Sequence, residues 1–302
     1  MTVVPAGPPV PRPLSGSFEI QAHRGARSLF PENTIAAFIG AADLGIRVVE
    51  LDLIVSADLQ LVVSHDPWIN VHGGRRPIYA MHSEDVAGYD CGAPDPRFPL
   101  QQRIRASRPL LCDVFRAVDI HLAGAGPGEL MAYNLELKSW PSRDRLFHPP
   151  PALFARLVLD AALSAGVLGR IRIQSFDWRV VREAWKRMPA IPYGILVERA
   201  GAIRPSLRHL GFRPQWLNPH YCLATPALVR HLHASGIQTA PWTVNDPGLM
   251  LRLRDIGVDG IITDHPERAL RFASEGGNRY LYSSSGQTEG PTNLHPYGIH
   301  PS

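Results

Sequence analysis

The chain has 302 residues, 45% of them hydrophobic and 19% charged, with a formal net charge of +4. That composition excludes a wholly disordered chain and is sufficient for one large α/β barrel. The basic residues are scattered arginines without a long Lys/Arg run, which argues against nucleic acid and favours a small anionic ligand.

Residues 1–16, "MTVVPAGPPVPRPLSG", form a Pro-rich leader without the basic start and continuous apolar segment of a signal peptide. No later stretch approaches the ~20 consecutive apolar residues of a membrane-spanning helix. Cys91, Cys112 and Cys222 form no CxxC pair and read as free thiols. Together these features predict a cytoplasmic protein in a reducing compartment. Residues 17–273 are expected to fold as one barrel domain. The Gly- and Ser-rich segment 274–302 is expected to be a disordered tail.

The first strand, "FEIQAH", runs into His23 and Arg24 instead of a plain turn. Short apolar runs then follow at "RVVELDLIV" (47–55), "LQLVVSHD" (59–66), "AYNLELK" (132–138), "IRIQSF" (171–176), "PYGILV" (192–197), "QTAPWTV" (238–244) and "GIITD" (260–264). Helix starts lie between several of them, at Asn33 or Thr34, at Asp177, at Thr225-Pro226 and at His265-Pro266. Gly45, Gly166 and Gly236 supply helix stops. Eight near-continuous apolar strands alternating with helices predict a parallel (β/α)8 barrel. Two irregularities interrupt the pattern. The link between the second and third runs is too short for a crossover helix, so that unit is hairpin-like or distorted. Residues 67–109, rich in Gly, Pro and Arg, form an insertion before the helical pattern at 110–119.

Polar residues cluster at the C-terminal ends of these strands: His23, Arg24, Glu50, Asp52, His65, Asp66, Glu136, Lys138, Gln174, Ser175, Trp242, Asn245 and Asp264. In a parallel barrel those ends meet on one rim, where catalytic sites lie. Glu50 and Asp52, two residues apart, share a strand face, and Glu136 arrives from another strand. Three close carboxylates repel unless a cation or protonation neutralises them, and hard oxygen ligands suit Mg²⁺ or Ca²⁺. The competing arrangement pairs Glu50 with Arg24 and Asp52 with Lys138 as a purely structural network. His23 and His65 are a candidate general acid and base pair, and Arg24 and Lys138 supply fixed positive charge for a phosphate oxygen. Asp66 is read as a turn residue.

The motifs "AHRGARSLFPENT", "VELDLIVSADLQLVVSHDP", "NLELK", "IQSFDW", "PWTVN" and "GIITDHP" resemble those of the glycerophosphodiester phosphodiesterases, in the same order, from about Phe18 to Leu270. The resemblance implies a TIM barrel and one divalent cation, Mg²⁺ or Ca²⁺, on Glu50, Asp52 and Glu136. It further implies acid/base chemistry by His23 and His65, phosphate contacts from Arg24 and Lys138, and a loop shaped by Glu32 and Asn33. The expected reaction is hydrolysis of a small glycerophosphodiester to sn-glycerol 3-phosphate and an alcohol. "RIRASRPLLCDVF" departs from the family pattern and leaves the alcohol open. Two other readings compete. One is a phospholipase of the sphingomyelinase D kind, against which the lack of an apolar membrane-docking segment counts. The other is a catalytically silent barrel that binds a phospho-metabolite.

Overall fold

A computed structural model describes residues 18–126 and 128–275. The expected leader at 1–16 lies outside them, as does the expected tail from residue 276 onward. In chain order the strands are β1 (Glu19–His23), β2 (Val48–Val55), β3 (Leu61–Val63), β4 (Trp68–Val71), β5 (Gly74–Pro77), β6 (Ala132–Leu137), β7 (Ile171–Ser175), β8 (Tyr193–Val197), β9 (Trp216–Pro219) and β10 (Gly260–Thr263). The α-helices are α1 (Ile35–Asp43), α2 (Ser83–Ala87), α3 (Leu111–Ala125), α4 (Pro151–Ser164), α5 (Trp178–Arg187), α6 (Ala200–Leu210), α7 (Pro226–Ala234), α8 (Pro247–Asp255) and α9 (Pro266–Glu275).

Seven strands pair in parallel in the order β10, β1, β2, β6, β7, β8, β9. Residues 238–244 close the barrel between β9 and β10. Gln238 and Trp242 bridge in parallel to Trp216 and His220. On the other side, the Val244 N–H donates to the Ile262 carbonyl at 2.9 Å and the Ile262 N–H to the Pro241 carbonyl at 2.9 Å. Pro241 cannot donate to the ladder, which accounts for isolated bridges in place of a continuous strand.

The predicted barrel therefore holds, with two corrections to its staves. The run at 59–66 yields only β3, which pairs antiparallel to the end of β2 (Leu53↔Val63) and is not a barrel strand. The hairpin-like link expected between those runs is thus present. The missing stave is β9, four residues ending on a proline, too short to show a period. Thr34, Asp177 and Thr225 cap their helices as expected, accepting from the backbone N–H of Ala37, Arg179 and Leu228. The last helix, α9, ends at Glu275, two residues past the expected domain boundary.

All of β2 is buried, and its two faces differ. Val49, Leu51, Leu53 and Val55 join the apolar core between sheet and helices, packed with Phe38, Phe115, Phe154 and Leu159. Burying such side chains stabilises by about 1.5–3 kcal/mol each. The alternate residues Glu50 and Asp52 belong to the opposite face, by the period of two. That barrel interior is polar as well: Asn134 Nδ2 donates to Gln21 Oε1 at 2.7 Å and Asn218 Nδ2 to Gln174 Oε1 at 2.9 Å. The insertion forms the β4–β5 hairpin, a 3-10 turn and α2. Its small core of Ile69, Ile78, Met81 and Val86 packs on Ile54 and Val62.

Candidate active site

Strand register brings the predicted residues together. His23 on β1 lies beside Glu50 on β2, and Asp52 lies beside Glu136 on β6. The turn after β1 is tightly specified. Gly25 has φ +86°, and a Cβ there would sit 2.6 Å from the Ala37 backbone carbon, so only glycine fits against α1. Arg24 (φ 58°) and Asn33 (φ 57°) also occupy the left-handed region, a costly conformation for side-chain-bearing residues. In exchange, the Arg24 N–H continues the sheet to the Glu50 carbonyl at 2.9 Å and its guanidinium is aimed at Asp52.

Glu50, Asp52 and Glu136 are all buried, and one oxygen of each lies within 4.8 Å of the others. They are not equivalent. Asp52 takes Arg24 Nε at 3.1 Å, Lys138 Nζ at 3.2 Å and Asn33 Nδ2 at 2.9 Å. Glu136 takes Lys138 Nζ at 2.8 Å. Among the described residues Glu50 accepts a hydrogen bond only from the Arg24 backbone N–H, at 3.3 Å on Oε2, and its buried Oε1 has no hydrogen-bond partner. Of the structural network weighed from sequence, the Asp52–Lys138 pair is present, but the Arg24 guanidinium turns to Asp52 and leaves Glu50 without the side-chain partner expected for it.

The electrostatics follow. Burial, reinforced by Asp52 and Glu136, pushes the Glu50 carboxyl well above the usual carboxylate range. Burial would raise Asp52 too, but Lys138 and Arg24 hold it well below that range. Lys138 is raised despite burial, by Asp52 and Glu136. A buried, unpartnered Glu50 oxygen beside two other carboxylates is a set of hard oxygen donors that fits a divalent cation.

The two histidines occupy different settings. His23 is nearly buried, with Nδ1 2.6 Å from Asp264 Oδ1 and Nε2 3.9 Å from Glu50 Oε2. Burial and Arg24 lower its pKa, outweighing Asp264. Asp264, at the end of β10, is held by Arg27 Nη1 at 3.1 Å and Asn245 Nδ2 at 2.7 Å. Burial alone would raise the Asp264 carboxyl, but His23 and Arg27 keep it below the carboxylate range. The side chain of His65 is 38% exposed, with Nδ1 3.0 Å from Asp66 Oδ1. Asp66, read from sequence as a turn residue, is thus the partner of His65. Sequence reasoning placed Asp264 and Asn245 on the rim without a role. It gave Arg27 none either.

His23, His65, Glu50, Glu136 and Lys138 line a cleft of about 660 Å³ whose other wall is aromatic. Phe147 packs against Trp68 and Trp140 with ring centroids 6.1 and 6.4 Å away, and Phe176 stands edge-on to Trp242 at 5.3 Å. Buried His148 fixes the Trp140 segment by accepting the Trp140 N–H at 2.9 Å. Among the described residues, no helix is long and apolar enough to cross a membrane.

Known proteins resemble this chain in sequence and in fold. The model of the glycerophosphoryl diester phosphodiesterase family matches residues 23–268. A glycerophosphodiester phosphodiesterase from Caldanaerobacter subterraneus subsp. tengcongensis is 30% identical over 85% of this chain and 98% of its own length. A structure from Silicibacter pomeroyi, assigned to the glycerophosphoryl diester phosphodiesterases, superposes with a TM-score of 0.78 at 27% identity, covering 89% of this chain and 97% of that one. An Oleispira antarctica phosphodiesterase, solved with the product sn-glycerol 3-phosphate, shares the fold at a TM-score of 0.69 and 22% identity over 85% and 96% of the two chains. With the family model matched over residues 23–268 and a relative 30% identical over nearly its whole length, the chain belongs to the glycerophosphoryl diester phosphodiesterase family, whose reaction is the hydrolysis of glycerophosphodiesters.

Proposed function

We propose that the rim cluster carries out this hydrolysis with a divalent cation and a pair of histidines of unlike role, releasing sn-glycerol 3-phosphate. The observation that supports it most is the buried carboxylate set with its unpartnered Glu50 oxygen, flanked by Arg24, Lys138 and both histidines. Glu50, Asp52 and Glu136 would hold the cation, Mg²⁺ or Ca²⁺, which supplies Lewis-acid stabilisation of charge developing on phosphate oxygens. Three carboxylates against the two fixed cations leave one negative charge. A divalent ion converts that to one positive charge, the complement of a phosphodiester monoanion.

The chain's own groups do the positioning and proton transfer. Arg24 and Lys138, held on Asp52 and Glu136, present fixed positive charge to the non-bridging phosphate oxygens. The bond to Asp264 commits His23 Nδ1 to donation and leaves Nε2 to accept a proton, the orientation logic of a carboxylate-held catalytic histidine. In the first step the glycerol hydroxyl next to the ester attacks phosphorus and its proton passes to His23. The bond from phosphorus to the alcohol oxygen breaks, and His65, supported by Asp66, protonates that oxygen. Water then opens the cyclic phosphate, giving a proton to His65 while His23 returns its own to the released hydroxyl. Internal attack avoids the entropy of capturing water, an advantage that reaches ~7–11 kcal/mol in well-oriented cases.

A substrate whose attacking hydroxyl is replaced by hydrogen tests the step. Near-complete loss of cleavage, with the deoxy analogue still inhibiting competitively, is the expected result. Cleavage of the analogue at a rate close to the parent would mean direct attack by water.

A further inference from the structure

A second cleft, of about 460 Å³, adjoins the first and shares Arg24, His65 and Asp66 with it. His23 lines only the first cleft, so His65 stands at the junction. The second cleft is polar, and its acids are already engaged. Glu32 takes Arg24 at 2.9 Å and Arg27 at 2.5 Å, Asp95 takes Arg97 at 2.5 Å, and Asp66 faces His65.

Arg108 differs from the other arginines there. Its Nε donates to Ser64 Oγ at 3.2 Å, and Ser64 Oγ in turn donates to the Asp66 carbonyl at 3.0 Å. Among the described residues no carboxylate pairs with it. Its backbone is not a floppy loop. The neighbouring Pro109 carbonyl accepts the Val63 N–H at 2.9 Å, and Leu110 bridges Val62 on β3. A half-buried guanidinium with one edge anchored and no carboxylate in ion-pair contact therefore projects from a rigid segment; the acid whose charge it feels, Asp66, is bonded to His65.

We infer that the second cleft receives the departing alcohol and that Arg108 selects alcohols carrying an anionic substituent, a carboxylate in particular. The inference rests on the reading above, in which His65 protonates the leaving oxygen and so places the alcohol on its own side. A planar guanidinium fork matches a carboxylate bidentately, and among the described residues no acid already forms an ion pair with this one, Asp66 being turned to His65.

The test compares sn-glycero-3-phosphoserine with sn-glycero-3-phosphoethanolamine, two substrates that differ by one carboxylate, on the full chain and on Arg108→Gln and Arg108→Lys. The readout is the ratio of their kcat/KM values, which cancels any general loss of folded enzyme. The ratio should favour the serine diester in the parent and fall roughly 10- to 100-fold in Arg108→Gln, the range of a charge-assisted hydrogen bond. Arg108→Lys should retain part of it, since the charge survives and the fork does not. An unchanged ratio in Arg108→Gln, with both substrates losing equally or neither losing, would overturn the inference, because Arg108 would then touch only the shared phosphate or nothing. Failure of the parent to cleave either diester would instead defeat the hydrolase reading itself, and this inference with it.

Discussion

Asp264 and Glu50 are two buried acids on strands that flank β1, yet their surroundings give them opposite properties. Asp264 is surrounded by donors: His23, Arg27 and Asn245 all point at it. Glu50 has almost none and lies against two further carboxylates. Asp264 is thus suited to orienting a histidine, and Glu50 to waiting for a cation. Asp264→Asn should lower kcat roughly 10²- to 10⁴-fold, because the amide no longer fixes the His23 tautomer. KM should move far less and the melting temperature only modestly, and Asp264→Glu should recover part of the rate. A loss confined to KM or to stability would show that Asp264 merely braces the end of β10. His23, His65, Glu50, Asp52 and Glu136 were all legible in the sequence as polar interruptions of apolar strands. The His23–Asp264 pair was not, because its members are 241 positions apart and only the closing of β10 onto β1 makes them neighbours.

At the scale of elements, most of the helices declare themselves through caps and terminal glycines, and the strands through continuous apolar runs. The two errors in the strand count have different causes. A four-residue strand such as β9 carries too few positions for a pattern, while β3 carries a good pattern but pairs antiparallel where the chain has no room to cross over. The junction between β2 and β3 is fixed by Asp58, which accepts from Ser56 Oγ at 2.6 Å, from the Ser83 N–H at 2.9 Å and from Ser83 Oγ at 2.7 Å. Burial alone would raise the Asp58 carboxyl, but these bonds lower it to about 2 from an ordinary 3.8. A folded-state value below the unfolded one means that the ionised group stabilises the fold above about pH 4, and that this contribution fades as the pH falls towards about 2. Asp58→Asn should therefore cost about 1 kcal/mol at neutral pH, with the difference from the parent shrinking in acid. Melting curves across that range check it. A difference that stays constant or grows as the pH drops would contradict it.

For the whole molecule, the barrel explains why residues scattered from position 23 to position 264 form one site. Parallel strands put every C-terminal end on the same rim, the polar inner face of β2 supplies two carboxylates, and the insertion at 67–109 adds walls that the barrel itself lacks. The rim was legible because its residues break an otherwise apolar pattern. The insertion was not, since its Gly-, Pro- and Arg-rich composition says only that it is irregular. Both the second cleft and the isolation of Arg108 arise from how that segment folds back onto β3. The central claim is that the three buried carboxylates act by holding a divalent cation during glycerophosphodiester hydrolysis. The most direct measurement is glycerol 3-phosphate release from sn-glycero-3-phosphoethanolamine by the chelated protein, before and after Mg²⁺ or Ca²⁺ is returned, alongside Glu50→Ala. The account predicts that EDTA abolishes turnover, that one of the two cations restores it, and that Glu50→Ala stays inactive with either. Undiminished turnover in EDTA, or full activity in Glu50→Ala, would contradict it.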